Sequence, residues 1–223
     1  MTTLEAKLGY TFHDPALLRT ALTHSSYANE NRAMHLSCNE RLEFLGDAVL
    51  GLTAAEWLYR TFPQLPEGRM TRMRAELVCE QSLAKVAAVL GLGDELQLGR
   101  GEQLSGGSAR PSILADAVEA IIAAVYLDGG DAAGLIDRLI LQPMAPTLTS
   151  AATDYKTALQ ELVQRRPNSS IRYVPAGESG PDQNKSFTVQ VFVNGEFAGT
   201  GTGRSKKEAE QAAAHQAYEA MNR

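Results

Sequence analysis

The run Ser112-Ile113-Leu114-Ala115-Asp116-Ala117-Val118-Glu119-Ala120-Ile121-Ile122-Ala123-Ala124-Val125-Tyr126-Leu127 constrains this chain more than any other stretch. Wound as a helix it is apolar nearly all round, so it has no face to offer water and must be buried. It nevertheless carries Asp116 and Glu119 one turn apart on one side, with no Lys or Arg between Arg110 and Arg138 to pair with them locally. Burying a carboxylate without a partner costs roughly several kcal/mol, or raises its pKa until it is neutral. A bound divalent cation removes that cost.

A second stretch has the same character. In Asn39-Glu40-Arg41-Leu42-Glu43-Phe44-Leu45-Gly46-Asp47-Ala48-Val49-Leu50, helical periodicity puts Glu40, Glu43 and Asp47 on one face and Leu42, Leu45, Val49 and Leu52 on the opposite one. An amphipathic helix with a solvated acidic face is the plainer reading. Against it, Phe44 lies among the acids, and the one adjacent cation, Arg41, points off that face, whereas solvated faces mix both signs. Four carboxylates from two helices, with no His or Cys interleaved, form a set of hard oxygen ligands. Such a set favours Mg²⁺ or Mn²⁺ over zinc.

Composition limits the alternatives. A length of 223 residues suits one medium domain and one small one, and 44% hydrophobic residues is ordinary for a globular protein. No apolar run is long enough to cross a membrane, and the first thirty residues lack the basic-then-apolar order of a signal peptide. The only cysteines, Cys38 and Cys79, have neither metal-type nor redox-type spacing, so they read as reduced, core-packing thiols of a cytoplasmic protein. The net charge of −5 argues against a generic nucleic-acid binder. Its distribution is more telling: residues 1–150 hold 12 Lys and Arg against 18 Asp and Glu, whereas residues 151–223 hold 9 against 8. An acidic catalytic part next to a part that grips phosphate with a few placed cations would have this balance.

Helix signals dominate residues 1–141, and strand patterns are absent there. Asp14-Pro15 reads as an N-cap followed by Pro at the first helical position, and Gly129-Gly130 as the C-cap of the apolar helix. One helix is expected from about Gly68 to Leu90, with Arg69, Arg72 and Arg74 near its start as surface charge or as phosphate contacts. The glycine-rich segment 99–107 reads as a loop but lacks the Gly-Lys-Ser/Thr ending of a phosphate-binding P-loop, which argues against a nucleotide site. From Leu139 to Thr153 the chain has no charge and carries Pro143 and Pro146. Residues 142–153 are therefore expected to form a linker between domains at 1–141 and 154–223.

The last part reads as α-β-β-β-α. A helix over Asp154–Gln164 precedes a strand near Ile171–Val174, and the alternation Phe187, Val189, Val191, Val193 marks a second strand. Asn194-Gly195 is a hairpin turn into a third, and a final helix from Ser205 to about Ala220 presents Ala209, Ala212, Ala213 and Ala217 to the sheet. Ser205 and Glu208 form a capping box, yet Lys206 and Lys207 occupy the first turn, where the helix dipole disfavours cations. A solubilising pair is one explanation. The other is a phosphate site, because a helix N-terminus already offers free N–H groups to anions.

These motifs carry a resemblance. Asn39–Asp47 closely resembles the signature of bacterial ribonuclease III, the block Arg110–Ala120 resembles its second conserved segment, and Thr23-His24-Ser25-Ser26-Tyr27 is similar in kind and order. Gly203-Arg204-Ser205-Lys206-Lys207-Glu208-Ala209-Glu210 resembles the double-stranded-RNA-binding domain. The resemblance implies an all-α endonuclease domain followed by a small α+β RNA-binding domain. It makes Glu43, Asp116 and Glu119 metal ligands and Asp47 a companion catalytic acid, with Glu40 and Glu67 near the active-site valley. It assigns duplex contacts to Thr157, Gln160 and Glu161, to the loop 180–185, where Gln183 replaces the usual histidine, and to Ser205, Lys206 and Lys207. Phe44 matches a phenylalanine that packs into a pocket of a partner subunit, so a homodimer is expected, although burial in its own subunit is the plainer reading of a large apolar side chain. The implied function is Mg²⁺-dependent hydrolysis of double-stranded RNA, leaving 5′-phosphate and 3′-hydroxyl ends, on ribosomal RNA precursors and structured messages. Two rival readings are a non-catalytic RNA-binding regulator, disfavoured because all four acids are present, and a helical metal-binding protein, which leaves the C-terminal part unexplained.

Overall fold

A computed structural model of the chain describes residues 2–152, 154–165, 169–179 and 185–221. The chain divides into two compact units, Met1–Leu148 and Thr149–Arg223. The first is helical, with α1 (Thr3–Leu8), α2 (Pro15–Ala21), α3 (Ser25–Glu30), α4 (Glu40–Thr61), α5 (Glu67–Val78), α6 (Glu80–Leu90), α7 (Leu92–Glu95), α8 (Arg100–Leu104), α9 (Pro111–Leu127) and α10 (Ala132–Ile136). A π-type turn over Asp137–Leu141 leads into α11 (Gln142–Ala152).

Helix α9 is the axis of this unit, as its composition demands. Ile113, Ala115, Ala117, Val118 and every residue from Ala120 to Val125 are buried, and α2, α4 and α6 pack around it. It ends in a Schellman motif: Gly129 takes φ +81°, the Gly130 N–H donates to Val125 O (2.9 Å), and the Gly129 N–H donates to Tyr126 O (3.2 Å). Asp14 caps α2 as expected, accepting from the Ala16 N–H at 2.9 Å.

The face by which α4 meets α9 differs from the expected one. The buried stripe is Leu42, Gly46, Leu50, Ala54 and Leu58, while Leu45 and Val49 are only half-buried and Leu52 is 72% exposed. The seam passes through Gly46, which carries no hydropathy signal. There the helix backbones touch, and a Cβ on Gly46 would lie 1.9 Å from the Glu119 carbonyl oxygen.

Three further expectations are corrected. The helix expected from Gly68 to Leu90 breaks at Cys79, which is extended (φ −71°, ψ 155°). Ser82 Oγ (2.7 Å) and Cys79 Sγ (3.3 Å) both donate to the Glu76 carbonyl and so compete with the helical bond. The segment expected as a loop at 99–107 contains α8. The segment 142–153 expected as a linker is helical through Ala152, and Thr153 lies outside the described residues. Leu148 is its one buried residue among those whose burial is described, while Gln142, Pro143, Pro146, Thr147 and Thr149 are exposed. Pro143 lies just after the π-type turn, and Pro146 lies inside α11.

The second unit has α12 (Tyr155–Gln164), β1 (Ile171–Ser179), β2 (Ser186–Val193), β3 (Glu196–Gly203) and α13 (Lys206–Met221), with an antiparallel sheet ordered β1-β2-β3. Strand β1 runs past the expected Val174. Pro175 is tolerated on this edge strand beside a bulge that leaves Ala176 unpaired. Asn194 (φ 53°) and Gly195 (φ 83°) form the expected two-residue turn, with Val193 opposite Glu196. Ala209, Ala213, Ala214 and Ala217 of α13 are buried, while Ala212 is only half-buried. Helix α13 can lie this close because β3 offers Gly199, Gly201 and Gly203; a Cβ on Gly201 would meet Ala213 N at 2.1 Å.

Two glycines of α4 give a paired prediction. Gly46→Ala drives a methyl into the α9 backbone, so we expect a loss of about 1–3 kcal/mol, read as a lower thermal midpoint. A methyl on Gly51 would have nothing within 4 Å, so Gly51→Ala should stabilise by up to about 1 kcal/mol through helix propensity. Equal shifts for the two variants would refute the close crossing.

Candidate active site

The crossing of α4 and α9 assembles the acidic residues. Gly46 abuts Glu119, so Glu43, one turn before Gly46, is brought to the side of α9 that carries Asp116 and Glu119. One carboxylate oxygen from each of Glu43, Asp116 and Glu119 lies within 4.8 Å of the others. Among the described residues this is the one group of acids, histidines or thiols close enough to hold an ion.

None of these three carboxylates accepts a hydrogen bond or makes an ion pair among the described residues. Burial and mutual repulsion therefore act on them unopposed by any donor. Burial raises the Glu43 carboxyl first, followed by the charges of Asp116, Glu40 and Asp47. Glu119 is pushed up to about 7 by burial, then by Asp47, Asp116 and Glu43. Asp116 is raised by burial, lowered by the charge of His24 and raised again by Glu80. Three half-buried, unpartnered carboxylates held within 4.8 Å of one another fit a hard divalent cation, which would satisfy all of them together.

The remaining predicted acids stand apart from this group. Asp47 and Glu40 are exposed and act through their fields. Glu67, at the exposed start of α5, accepts from the Thr71 hydroxyl at 2.6 Å. Phe44 is 80% exposed, so it is not a core residue of its own subunit.

Three neighbours of the cluster have no role assigned from sequence. His24 Nδ1 accepts from the Ser26 N–H (3.3 Å) and lies 2.8 Å from Ser26 Oγ, which itself accepts from the Gly99 N–H (2.9 Å). Glu80 begins α6. Asn39 precedes α4, is 2% exposed, and holds its side-chain Nδ2 buried without a partner. The motif Thr23-His24-Ser25-Ser26-Tyr27 is the only signal for His24, and Asn39 opens the stretch Asn39–Asp47 on the same helix as Glu43; Glu80 has no signal, because its proximity is created by packing.

In the second unit, Thr157 and Gln160 are exposed on α12 and Glu161 is half-buried. Lys206 and Lys207 are exposed in the first turn of α13, with the Lys206 ammonium 6.0 Å from the Phe187 ring centre. The capping box is offset. The Glu208 N–H donates to Ser205 Oγ (3.2 Å), but the Glu208 carboxylate accepts from the Arg204 N–H (2.8 Å) instead of from Ser205. Gln183 and the rest of 180–184 lie outside the described residues.

Comparison with known proteins agrees in order and extent. Residues 14–144 match the family model described as ribonuclease-III-like, and residues 155–221 match the double-stranded RNA binding motif. Ribonuclease 3 of Pelotomaculum thermopropionicum is 52% identical over 220 residues, covering 97% of this chain and 91% of that protein. Ribonuclease 3 of Oceanobacillus iheyensis is 50% identical over 222 residues, covering 98% and 97%. Among solved structures, the nuclease domain of ribonuclease III from Campylobacter jejuni is 44% identical with a TM-score of 0.57, covering 61% of this chain and 96% of that one; that study concerns flexibility in its region involved in dimer formation. With two family models matched in series and relatives near 50% identity along almost its whole length, the chain belongs to the ribonuclease III family.

Proposed function

We propose that this chain is an endoribonuclease that hydrolyses phosphodiester bonds in double-stranded RNA, with Mg²⁺ as the resident ion and Mn²⁺ as a substitute. The observation that carries this reading is the cluster of Glu43, Asp116 and Glu119, acids without partners within 4.8 Å of one another, in a chain that also holds a double-stranded-RNA-binding motif. These three residues hold the ion, and Asp47, whose field reaches Glu43 and Glu119, works next to them. When bound, a divalent cation supplies a lowered pKa for an attacking water and charge neutralisation for the scissile phosphate. Oxygen-only donors favour magnesium over softer metals. The products carry 5′-phosphate and 3′-hydroxyl ends, and the substrates in a bacterial cytoplasm are ribosomal RNA precursors and structured messages.

The second unit holds the duplex. Lys206 and Lys207 add charge to the N–H groups that open α13, which suits a backbone phosphate. Thr157, Gln160, Glu161 and Gln183 meet the minor groove, where 2′-hydroxyls distinguish RNA from DNA. A regulator without catalysis is not favoured, because every acid of the cluster is retained.

The working form is a homodimer. Phe44 (80% exposed), Leu52 (72%) and Tyr59 (72%) recur along one side of α4, an apolar stripe that a single subunit leaves in water. A twofold axis repeats any contact reciprocally, so one such face covers its copy and sets two acidic clusters against the two strands of a duplex.

Three measurements test this reading. Glu119→Gln keeps shape but removes a ligand, so cleavage of long duplex RNA in Mg²⁺ should fall by at least about 10²- to 10³-fold while duplex binding stays near the parent; cleavage within tenfold of the parent would remove Glu119 from the site. Phe44→Asp should shift the sedimenting species from dimer to monomer, and an unchanged dimer would place the interface elsewhere.

The third concerns pH. The folded Glu119 carboxyl sits near 7, above its ordinary 4.5, so the folded metal-free protein prefers it protonated. That contribution to stability is complete below about pH 4.5 and is lost as pH rises through about 7. Metal binding needs the carboxylate, so apparent Mn²⁺ affinity should climb by about tenfold per pH unit below 7 and level off above it. Affinity that is flat from about pH 6 to 8 would contradict the assignment.

A further inference from the structure

We infer that Asn39 is a positioning residue for the acidic cluster: when a divalent cation is bound, its side-chain amide donates to the Glu43 carboxylate and fixes how Glu43 presents itself to the ion. This rests on the metal reading above and adds to it a residue that is not itself a ligand.

Two complementary defects point to the pairing. Asn39 is 2% exposed and its Nδ2 is buried with no acceptor. Glu43 is half-buried and its carboxylate has no donor among the described residues. A buried amide without an acceptor and a half-buried carboxylate without a donor are each unfavourable, and pairing them removes both costs.

Helix geometry puts the two within reach. Asn39 has helical torsions (φ −77°, ψ −12°), and the Glu43 N–H already donates to Asn39 O at 2.8 Å, so the turn between them is formed. Residues four apart on a helix have β carbons about 5–6 Å apart. Side chains also tilt toward the helix N-terminus, so the stem of Glu43 leans back over Asn39.

The donor is held in place. The Asn39 N–H donates to Thr23 O at 2.9 Å, and Thr23 is itself 3% exposed. Its segment is pinned on both sides of Thr23, by His24 N–H to Gln97 O (3.1 Å) and by Gln97 N–H to Leu22 O (2.8 Å). The backbone that carries the amide is thereby fixed, and at 2% exposure the side chain is kept from water by the packing around it. A carboxylate that ligates an ion is commonly oriented by such an outer donor, and loss of the donor weakens metal affinity about 10- to 100-fold.

The test uses the full chain without RNA and then with it. Asn39→Ala and Asn39→Leu both delete the donor, and the leucine keeps the branched heavy-atom shape, so a cavity in the alanine variant does not decide the outcome. Free Mn²⁺ measured by electron paramagnetic resonance should show both variants binding about tenfold more weakly than the parent. Without metal the thermal midpoint of the leucine variant should match or exceed the parent's, because an unpaired buried amide is gone, while the gain on adding Mn²⁺ should shrink in both variants. The Mn²⁺ concentration for half-maximal cleavage should rise about tenfold, with the rate at saturating Mn²⁺ close to the parent's. Parent-like Mn²⁺ affinity in the leucine variant, or a lower metal-free midpoint in it with an undiminished gain on adding metal, would overturn the role of Asn39 alone. A parent that binds no Mn²⁺ would overturn the metal reading itself and Asn39 with it.

Discussion

The contact between Gly46 and the Glu119 backbone is the constraint on which the catalytic unit depends. Two helices normally stand about 8–10 Å apart because side chains separate them. Removing the side chain at Gly46 lets α4 settle against α9, where a Cβ would lie 1.9 Å from a carbonyl oxygen. That closeness has two consequences. The buried seam of Leu42, Leu50, Ala54 and Leu58 locks onto the most apolar helix in the chain, and carboxylates flanking the crossing are forced together. Stability and site geometry are thus set by one contact, with the apolar side of the crossing offsetting the repulsion on the other.

The cluster is destabilised by its surroundings. Glu43, Asp116 and Glu119 have lost water, gained like-charged neighbours and received no donors. Each of these raises a carboxyl pKa, and each is reversed by an ion. His24, whose charge acts on Asp116, and Asn39, with its unpaired amide, border the cluster as sources of positive potential or donated protons. Three carboxylates so placed are unfavourable by themselves, which is how this cluster differs from a solvated acidic patch.

The second unit uses the same device for a different end. Gly199, Gly201 and Gly203 strip side chains from β3 so that the alanines of α13 can rest on the sheet. The tight packing lets α13 carry two lysines in its first turn, against the helix dipole, because the tertiary contacts outweigh that local penalty.

Much of this was legible in residue order. The apolar run 112–127 with its two acids required a buried helix and a counterion, and the structure has that helix. The Asn194-Gly195 turn, the β2 alternation and the Asp14 and Gly129 caps are local signals, so short-range chemistry was enough to place them. What failed were properties created between elements. The buried face of α4 was misplaced because it runs through Gly46, whose contribution is absence of a side chain. The break at Cys79 depends on hydroxyl and thiol bonds to one carbonyl. The uncharged segment 142–152 read as linker because it carries two prolines and no helical charge pattern, yet its backbone is helical and seats Leu148 in the core. Residue order by itself determined that the helix over 112–127 has to be buried and which residues bear charge. The tertiary structure decided which of them meet, since the gathering of Glu43 with Asp116 and Glu119 depends on how closely two helices approach, and approach distance is a property of the pair.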